Sequence, residues 1–148
     1  MTTPRPSDDR CAGPQSAAEH RTRTWIVDGY NVLGARPDGW WRDRVLALAR
    51  LCDLIAAWRR GDDEVVVMVD GWPRAEVPER RWQGIDLRYA RRRGPNGADQ
   101  AIVDLLGETD DLARVTVVTS DADLRAQVRA LGAQVEGAGT FRDRIDPT

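Results

Sequence analysis

A three-layer α/β domain, with a central, mostly parallel sheet of about five strands flanked by helices, is the fold class the sequence predicts. Three observations carry it. The runs "TWIVD", "EVVVMVDG" and "RVTVVTSD" are short, rich in β-branched residues and apolar on both faces, as strands covered on both sides must be. Between them lie segments whose apolar residues recur at spacings of three and four, the mark of helices resting on a core. Doubly buried strands alternating with helices imply parallel pairing through helical crossovers.

The elements follow in order. "MTTPRPSDDRCAGPQSAAEHRTR" is rich in Pro, Ser, Thr and charge, has no apolar periodicity and lacks the hydrophobic middle of a signal peptide. Residues 1–23 are therefore expected to be a flexible tail ahead of one domain at 24–148. "TWIVD" is the first strand, bounded by Gly29. "WWRDRVLALARLCDLIAAWRRG" places Val45, Leu48, Cys52, Ile55 and Trp58 on one helix face, and Gly61 is read as its stop. "EVVVMVDG" and the shorter "GIDLRYA" are the second and third strands. "RRRGPNG" is loop, because Gly94, Pro95 and Gly97 leave nothing regular to build. "ADQAIVDLLGE" reads as a helix with Asp99 in its first turn and Ile102, Leu105 and Leu106 facing inward. "RVTVVTSD" is the fourth strand, Ser120 the expected cap of the helix "DADLRAQVRALG", Leu124, Val128 and Leu131 its buried stripe, and Gly132 its end. "AQVEG" is a last short strand, and little is expected beyond it to wall a groove.

Composition excludes several chemistries. All 22 basic residues are arginine, so a P-loop and Schiff-base catalysis are both impossible. The two cysteines, Cys11 in the tail and Cys52 in a helix, are no disulfide framework, and the single histidine, His20, lies in the tail, away from any catalytic thiol. No apolar run approaches the roughly 20 residues that cross a bilayer, so a cytoplasmic protein without membrane attachment is expected. "DGYNVLG" after the first strand is not "GxGxxG", which argues against a nucleotide cofactor. An aspartate-phosphorylating protein is disfavoured by Tyr30, two residues after Asp28, and by the lack of lysine. Net charge is −2, yet between Arg74 and Arg93 seven arginines face three acids. A basic stretch of this kind beside an acidic centre suits a polyanion held at a cation-loaded site.

The acidic centre is the main functional signal. Asp28, Asp70 and Asp121 each close a strand, and in a parallel sheet all C-terminal strand ends open onto one edge. Asp99, at a helix start, arrives at the same edge. Singly, each reads equally well as a turn or cap residue. Converged, they repel, and protonating them costs ~1.4 kcal/mol per pKa unit. A divalent cation removes that cost, and a set of oxygen donors without histidine or cysteine calls for a hard ion, Mg²⁺ or Mn²⁺.

"VDGYN" with Asp28 and Asn31, "GADQAI" with Asp99, and "VVTSDADL" with Asp121 and Asp123, in that order, resemble the NYN-domain branch of the PIN-like nucleases over residues 24–135. The resemblance implies a PIN-like, Mg²⁺- or Mn²⁺-dependent ribonuclease in which Asp28, Asn31, Asp99 and Asp121 form the acidic site. Some relatives carry a second acid one or four residues after the position of Asp99, where this chain has Gln100 and Val103. Asp104, five residues on, is turned about 140° from Asp99 around a helix.

Asp28 is accordingly expected as the central metal ligand, with Asp99 and Asp121 completing the set and Asn31 as a neutral group that positions a water or carboxylate. Asp123 is either a further ligand or a favourable charge at a helix N-terminus. The expected reaction is in-line attack of an activated water on RNA, leaving a 5′-phosphate. Arg91, Arg92 and Arg93 are either phosphate contacts or a solvated charge run. Trp40, Trp72 and Trp82 are placed to stack unpaired bases, Trp25 and Trp58 belong to the core, and Trp41 packs at a helix start. The competing reading is the same fold as an RNA-binding module without turnover.

Overall fold

The protein is described from a computed structural model covering residues 22–92 and 96–147. Residues 1–21, which hold most of the expected tail, and Arg93 lie outside the described residues. The elements are β1 (Thr24–Asp28), α1 (Gly29–Leu33), α2 (Arg44–Trp58), β2 (Glu64–Val69), β3 (Arg80–Trp82), β4 (Ile85–Tyr89), α3 (Gly97–Gly107), β5 (Val115–Val118), α4 (Ala122–Leu131), β6 (Gln134–Glu136) and α5 (Ala138–Ile145), with 3₁₀ turns at Trp40–Arg42 and Leu112–Arg114. One six-stranded sheet runs in the order β3-β4-β2-β1-β5-β6. Every pairing is parallel except the β3–β4 hairpin.

Strand parity sorts the core into two layers. Trp25 and Val27 of β1, Val65, Val67 and Val69 of β2, and Ile85, Leu87 and Tyr89 of β4 face the layer that holds α1, α2 and α5. Ile26, Val66, Met68, Val115 and Val117 face α3 and α4 through Ile102, Leu106, Leu124 and Val128. Asp28 continues the second series, so the same alternation that buries Ile26 aims the Asp28 side chain toward the α3/α4 layer.

The strands number six rather than about five. β3 is short, arginine-rich and at the sheet edge, where charge deters further pairing. Its turn to β4 is the two-residue Gln83–Gly84, both at positive φ (52° and 78°), as a tight hairpin requires. The first predicted helix is broken: Trp40–Arg42 forms a separate turn, and α2 starts after Asp43, whose side chain accepts from the Leu46 N–H at 3.0 Å. It ends at Trp58, ahead of Gly61. Leu131, assigned to a buried stripe, is 44% exposed in the last turn of α4. Cys52 is buried, and burial pushes its thiol up to about 12, which leaves it inert.

Two helices had no counterpart in the sequence pattern. α1 follows β1 without a linker and presses against β2; a Cβ on Gly29 would lie 2.6 Å from Val69 Cγ1, so only glycine fits. α5 supplies Phe141, fully buried, to an aromatic cluster with Trp25 at 5.8 Å and Trp58 at 5.2 Å between ring centres. The segment after β6, from which little was expected, forms α5 and closes the core over α1 and α2.

Phe141→Ala should therefore lower the unfolding free energy by about 3–5 kcal/mol, the usual cost of emptying an aromatic core site. Urea denaturation reads it directly, and a loss below ~1 kcal/mol would mean that α5 is only an appendage.

Candidate active site at the switch point of the sheet

β1 is the central strand of the parallel set. From it the chain passes through α1 and α2 to β2 on one side; on its other side β5 leads through α4 outward to β6. The connections diverge between the C-terminal ends of β1 and β5, which opens the crevice where α/β sheets bind ligands. Asp28 ends β1, and Thr119, Ser120 and Asp121 follow β5, so they flank that crevice.

Hydrogen bonds tie its two walls together. The Thr119 hydroxyl donates to Asp28 Oδ2 at 3.2 Å and accepts from the Asp121 N–H at 3.1 Å. Asn31, on α1, accepts the Ser120 N–H on its Oδ1 at 2.8 Å. Ser120 Oγ in turn accepts the Ala138 N–H at the start of α5 (2.9 Å). Ser120 is thus not the cap of α4. Asp121 is, with Oδ1 accepting from the Leu124 N–H at 2.9 Å. A carboxylate is favoured over a hydroxyl there by the positive end of the helix.

The remaining acids come from neighbouring elements. Asp70, just past β2, accepts the Ala98 N–H at 2.6 Å and so holds the start of α3; Gly97 permits the approach, since a Cβ there would stand 3.0 Å from Asp70 Oδ1. Asp99 sits in the first turn of α3. Between the starts of α3 and α4 lies a cleft of about 210 Å³, whose lining includes Asn96, Asp99, Gln100, Asp121, Asp123 and Gln127.

The electrostatics record the crowding. Asp28 is 7% exposed, and burial, then the neighbouring Asp99 and Asp70 carboxylates, push its pKa up to about 7, against the partial relief given by the Thr119 hydroxyl and the Asn31 backbone N–H. Asp99 is raised as well, first by burial and then by Asp121, Asp70 and Asp123. The predicted acids do share one neighbourhood. Among the described residues, however, no three acidic side chains stand close enough to form a ready-made metal cage.

The YacP-like NYN domain model matches residues 25–148. The chain belongs to that family. Its fold is also that of two crystal structures of Rae1 (YacP) from Bacillus subtilis. A mutant form is 22% identical, with a TM-score of 0.64 over 85% of this chain and 78% of that one. The other is 19% identical, with a TM-score of 0.64 over 84% and 74%. No curated protein matches the chain.

The expected RNA contacts are distributed less simply than the acids. Arg91 is held by Glu79 in a bidentate pair (2.7 and 2.8 Å), and Arg92 pairs with Asp104 at 2.7 Å. Trp40 stacks on Tyr30 at 6.2 Å, while Arg80 covers Trp82 at 3.9 Å. Trp72 and Trp41 are exposed, the latter against the expectation that it packs. The Thr119 relay and the tie from Asp70 to α3 had no sequence signature beyond residue type. No helix among the described residues is long and apolar enough to cross a membrane.

A carboxyl titrating near 7 when folded, against 3.8 for the free group, binds its proton more tightly in the native state. Its contribution to stability is complete below pH 4 and is lost as pH rises toward 7, a change on the order of 4 kcal/mol. In EDTA, the stability of Asp28→Asn relative to the unsubstituted protein should therefore climb between pH 4 and pH 8 and end in the variant's favour. Denaturation curves across that range test it; a flat difference would show that Asp28 is not electrostatically frustrated.

Proposed function

We propose that this protein is a divalent-metal-dependent ribonuclease that hydrolyses RNA phosphodiester bonds at the Asp28 cluster. The observation that carries the reading is the buried Asp28 carboxylate at the switch point of an NYN-family fold, with Asp99 and Asp70 beside it and Asp121 and Asp123 beside Asp99. The donors suit a hard cation: all are oxygens, and their mutual repulsion is the deficit that such a cation removes. Asp28, Asp99, Asp121 and Asp123 would hold Mg²⁺ or Mn²⁺. When bound, the ion would supply Lewis acidity, polarising the phosphodiester and acidifying water for in-line attack.

The chain's own groups have defined tasks. Thr119 orients Asp28 and links it to the Asp121 backbone, which fixes the two carboxylates relative to each other. Asn31 locks α1 to the β5–α4 loop without adding charge. Arg92 lies at the basic side of the edge; its pair with Asp104 is half-exposed and of small net worth, so a phosphate can replace the carboxylate. Arg91 extends that basic side.

The second reading, an RNA-binding module without turnover, is favoured by one observation: the acids are neighbours but not a preformed cage. Metal-dependent melting and cleavage separate the two. Mn²⁺ or Mg²⁺ at a hundred times its Kd should stabilise the fold by ~2.7 kcal/mol. Asp28→Asn and Asp121→Asn should lose most of that gain together with cleavage of short RNAs. Cleavage that persists in both variants would relocate the active site, and intact RNA under every metal condition would leave the binding module.

Asn31 refines the test. Asn31→Ala removes an anchor of the crevice but no charge, so the metal-induced melting shift should survive while the cleavage rate falls at least about tenfold, equivalent to ~1.4 kcal/mol of barrier. A variant cleaving at the unsubstituted rate would reduce Asn31 to a loop tether.

A further inference from the structure

Beside the acidic cluster lies a second cleft, of about 440 Å³, lined by Tyr30, Arg44, Trp72, Arg74, Tyr89 and Arg92 together with Asp70 and Gly71. That is within the size range of small-ligand sites. Its chemistry is unlike that of the acidic cleft: three arginines and three aromatic rings against a single carboxylate, which is already bonded to the Ala98 N–H.

The parts are held in place by the fold. The Arg44 guanidinium, at the first position of α2, lies over the Tyr30 ring at 4.4 Å and near the Trp40 ring at 5.4 Å, so it is oriented by two cation–π contacts. Tyr89 donates its hydroxyl to the Val77 carbonyl at 2.6 Å and forms a rigid floor. The loop carrying Trp72 and Arg74 is pinned at both ends, by the Arg91 N–H on the Gly71 carbonyl (2.7 Å) and by the Val77 N–H on the Arg74 carbonyl (3.2 Å). Between these pins the Trp72 side chain is 49% exposed, one of the few large apolar groups the surface shows. Half-exposed aromatic surface lining a cleft with three arginines suits a flat ligand that carries negative charge.

We propose that this cleft is a subsite for one unpaired nucleotide of single-stranded RNA, its base stacked on Trp72 and its flanking phosphates bound by Arg44, Arg74 and Arg92. The inference rests on the ribonuclease reading for its choice of polymer and deepens it, because a base can reach Trp72 only when it is not paired. Stacking on an exposed ring accepts any base, so the subsite selects strandedness rather than sequence. Asp70 lines this cleft and accepts the Ala98 N–H beside Asp99, so a nucleotide bound here lies next to the acidic cluster.

The test is fluorescence anisotropy with a labelled RNA hexamer in EDTA, where cleavage is silent and the acidic cluster acts equally on all variants. Trp72→Ala should weaken binding about fivefold or more, Trp72→Phe should restore most of it, and a hexamer lacking bases should bind both proteins alike. Replacing Arg44 and Arg74 with Gln should lower the salt slope of affinity by about 1.4, at about 0.7 per single-strand phosphate contact. Arg129→Gln, in the last turn of α4, controls for the loss of a remote charge. Affinity of Trp72→Ala within twofold of the unsubstituted protein, an equal loss with the baseless hexamer, or no hexamer binding at low salt would each overturn the subsite. Parallel cleavage assays in Mn²⁺ separate the two ideas. Cleavage with Trp72 irrelevant leaves the ribonuclease and removes the subsite, whereas Trp72-dependent binding without cleavage does the reverse.

Discussion

The burial of the Asp28 carboxylate at the end of the central strand is the constraint around which the rest of the structure is arranged. A carboxylate that far from water needs donors or a counter-charge. It has the Thr119 hydroxyl and the Asn31 backbone N–H, and against these stand Asp99 and Asp70. No argument from stability selects this arrangement, since an amide of the same shape would relieve the repulsion while keeping the hydrogen bond. A charge retained at a destabilising position is the kind of local conflict that folds tolerate at functional sites.

The surrounding acids show how the fold keeps such a cluster rigid. Asp70 and Asp121 each commit an oxygen to a helix N-terminus, one to α3 and the other to α4. The partial positive charge there offsets part of their repulsion. It also fixes their positions, because each carboxylate is fastened to a helix packed on the sheet through Ile102 and Leu106 or Leu124 and Val128. Asn31 and Ser120 then bridge the crevice itself, so its width is set by hydrogen bonds between α1 and the loop after β5. The cluster is rigid in its frame and uncompensated in its charge.

How much of this was legible in the sequence follows from the range of the interactions. Strands buried on both faces announce themselves, and once they are parallel, their terminal aspartates must share an edge; the acidic neighbourhood therefore needed no contact information. α1 was hidden because a five-residue helix has no periodicity to detect and cannot persist alone. It exists because Gly29 lets it lie against β2. β3 was hidden because an edge strand of Arg80, Arg81 and Trp82 lacks alternation, and α5 because one buried aromatic, Phe141, outweighs its charged remainder. The arginine loop was legible as charge but not as pairing: Glu79 meets Arg91, and Arg92 meets Asp104, across hairpin and loop geometry that no local pattern encodes. The aromatic cleft is the extreme case, assembled from α1, α2, the loop after β2 and the end of β4.

The acidic cluster and the arginine-lined cleft beside it impose a further relation on the proposed activity. The acidic side repels a polyanion for as long as its carboxylates are ionised and uncompensated, whereas the arginine and tryptophan side attracts one. RNA that enters the basic cleft must therefore place its next phosphate against a negative field, unless a cation is present to reverse it. Cation and RNA would then each strengthen the other's binding, and by linkage the two enhancements must be equal in free energy. Charge neutralisation in this arrangement does more than supply chemistry at the scissile bond. It decides whether the phosphate can approach, so a protein whose Asp28 cluster stays uncompensated would hold RNA by the neighbouring nucleotide alone.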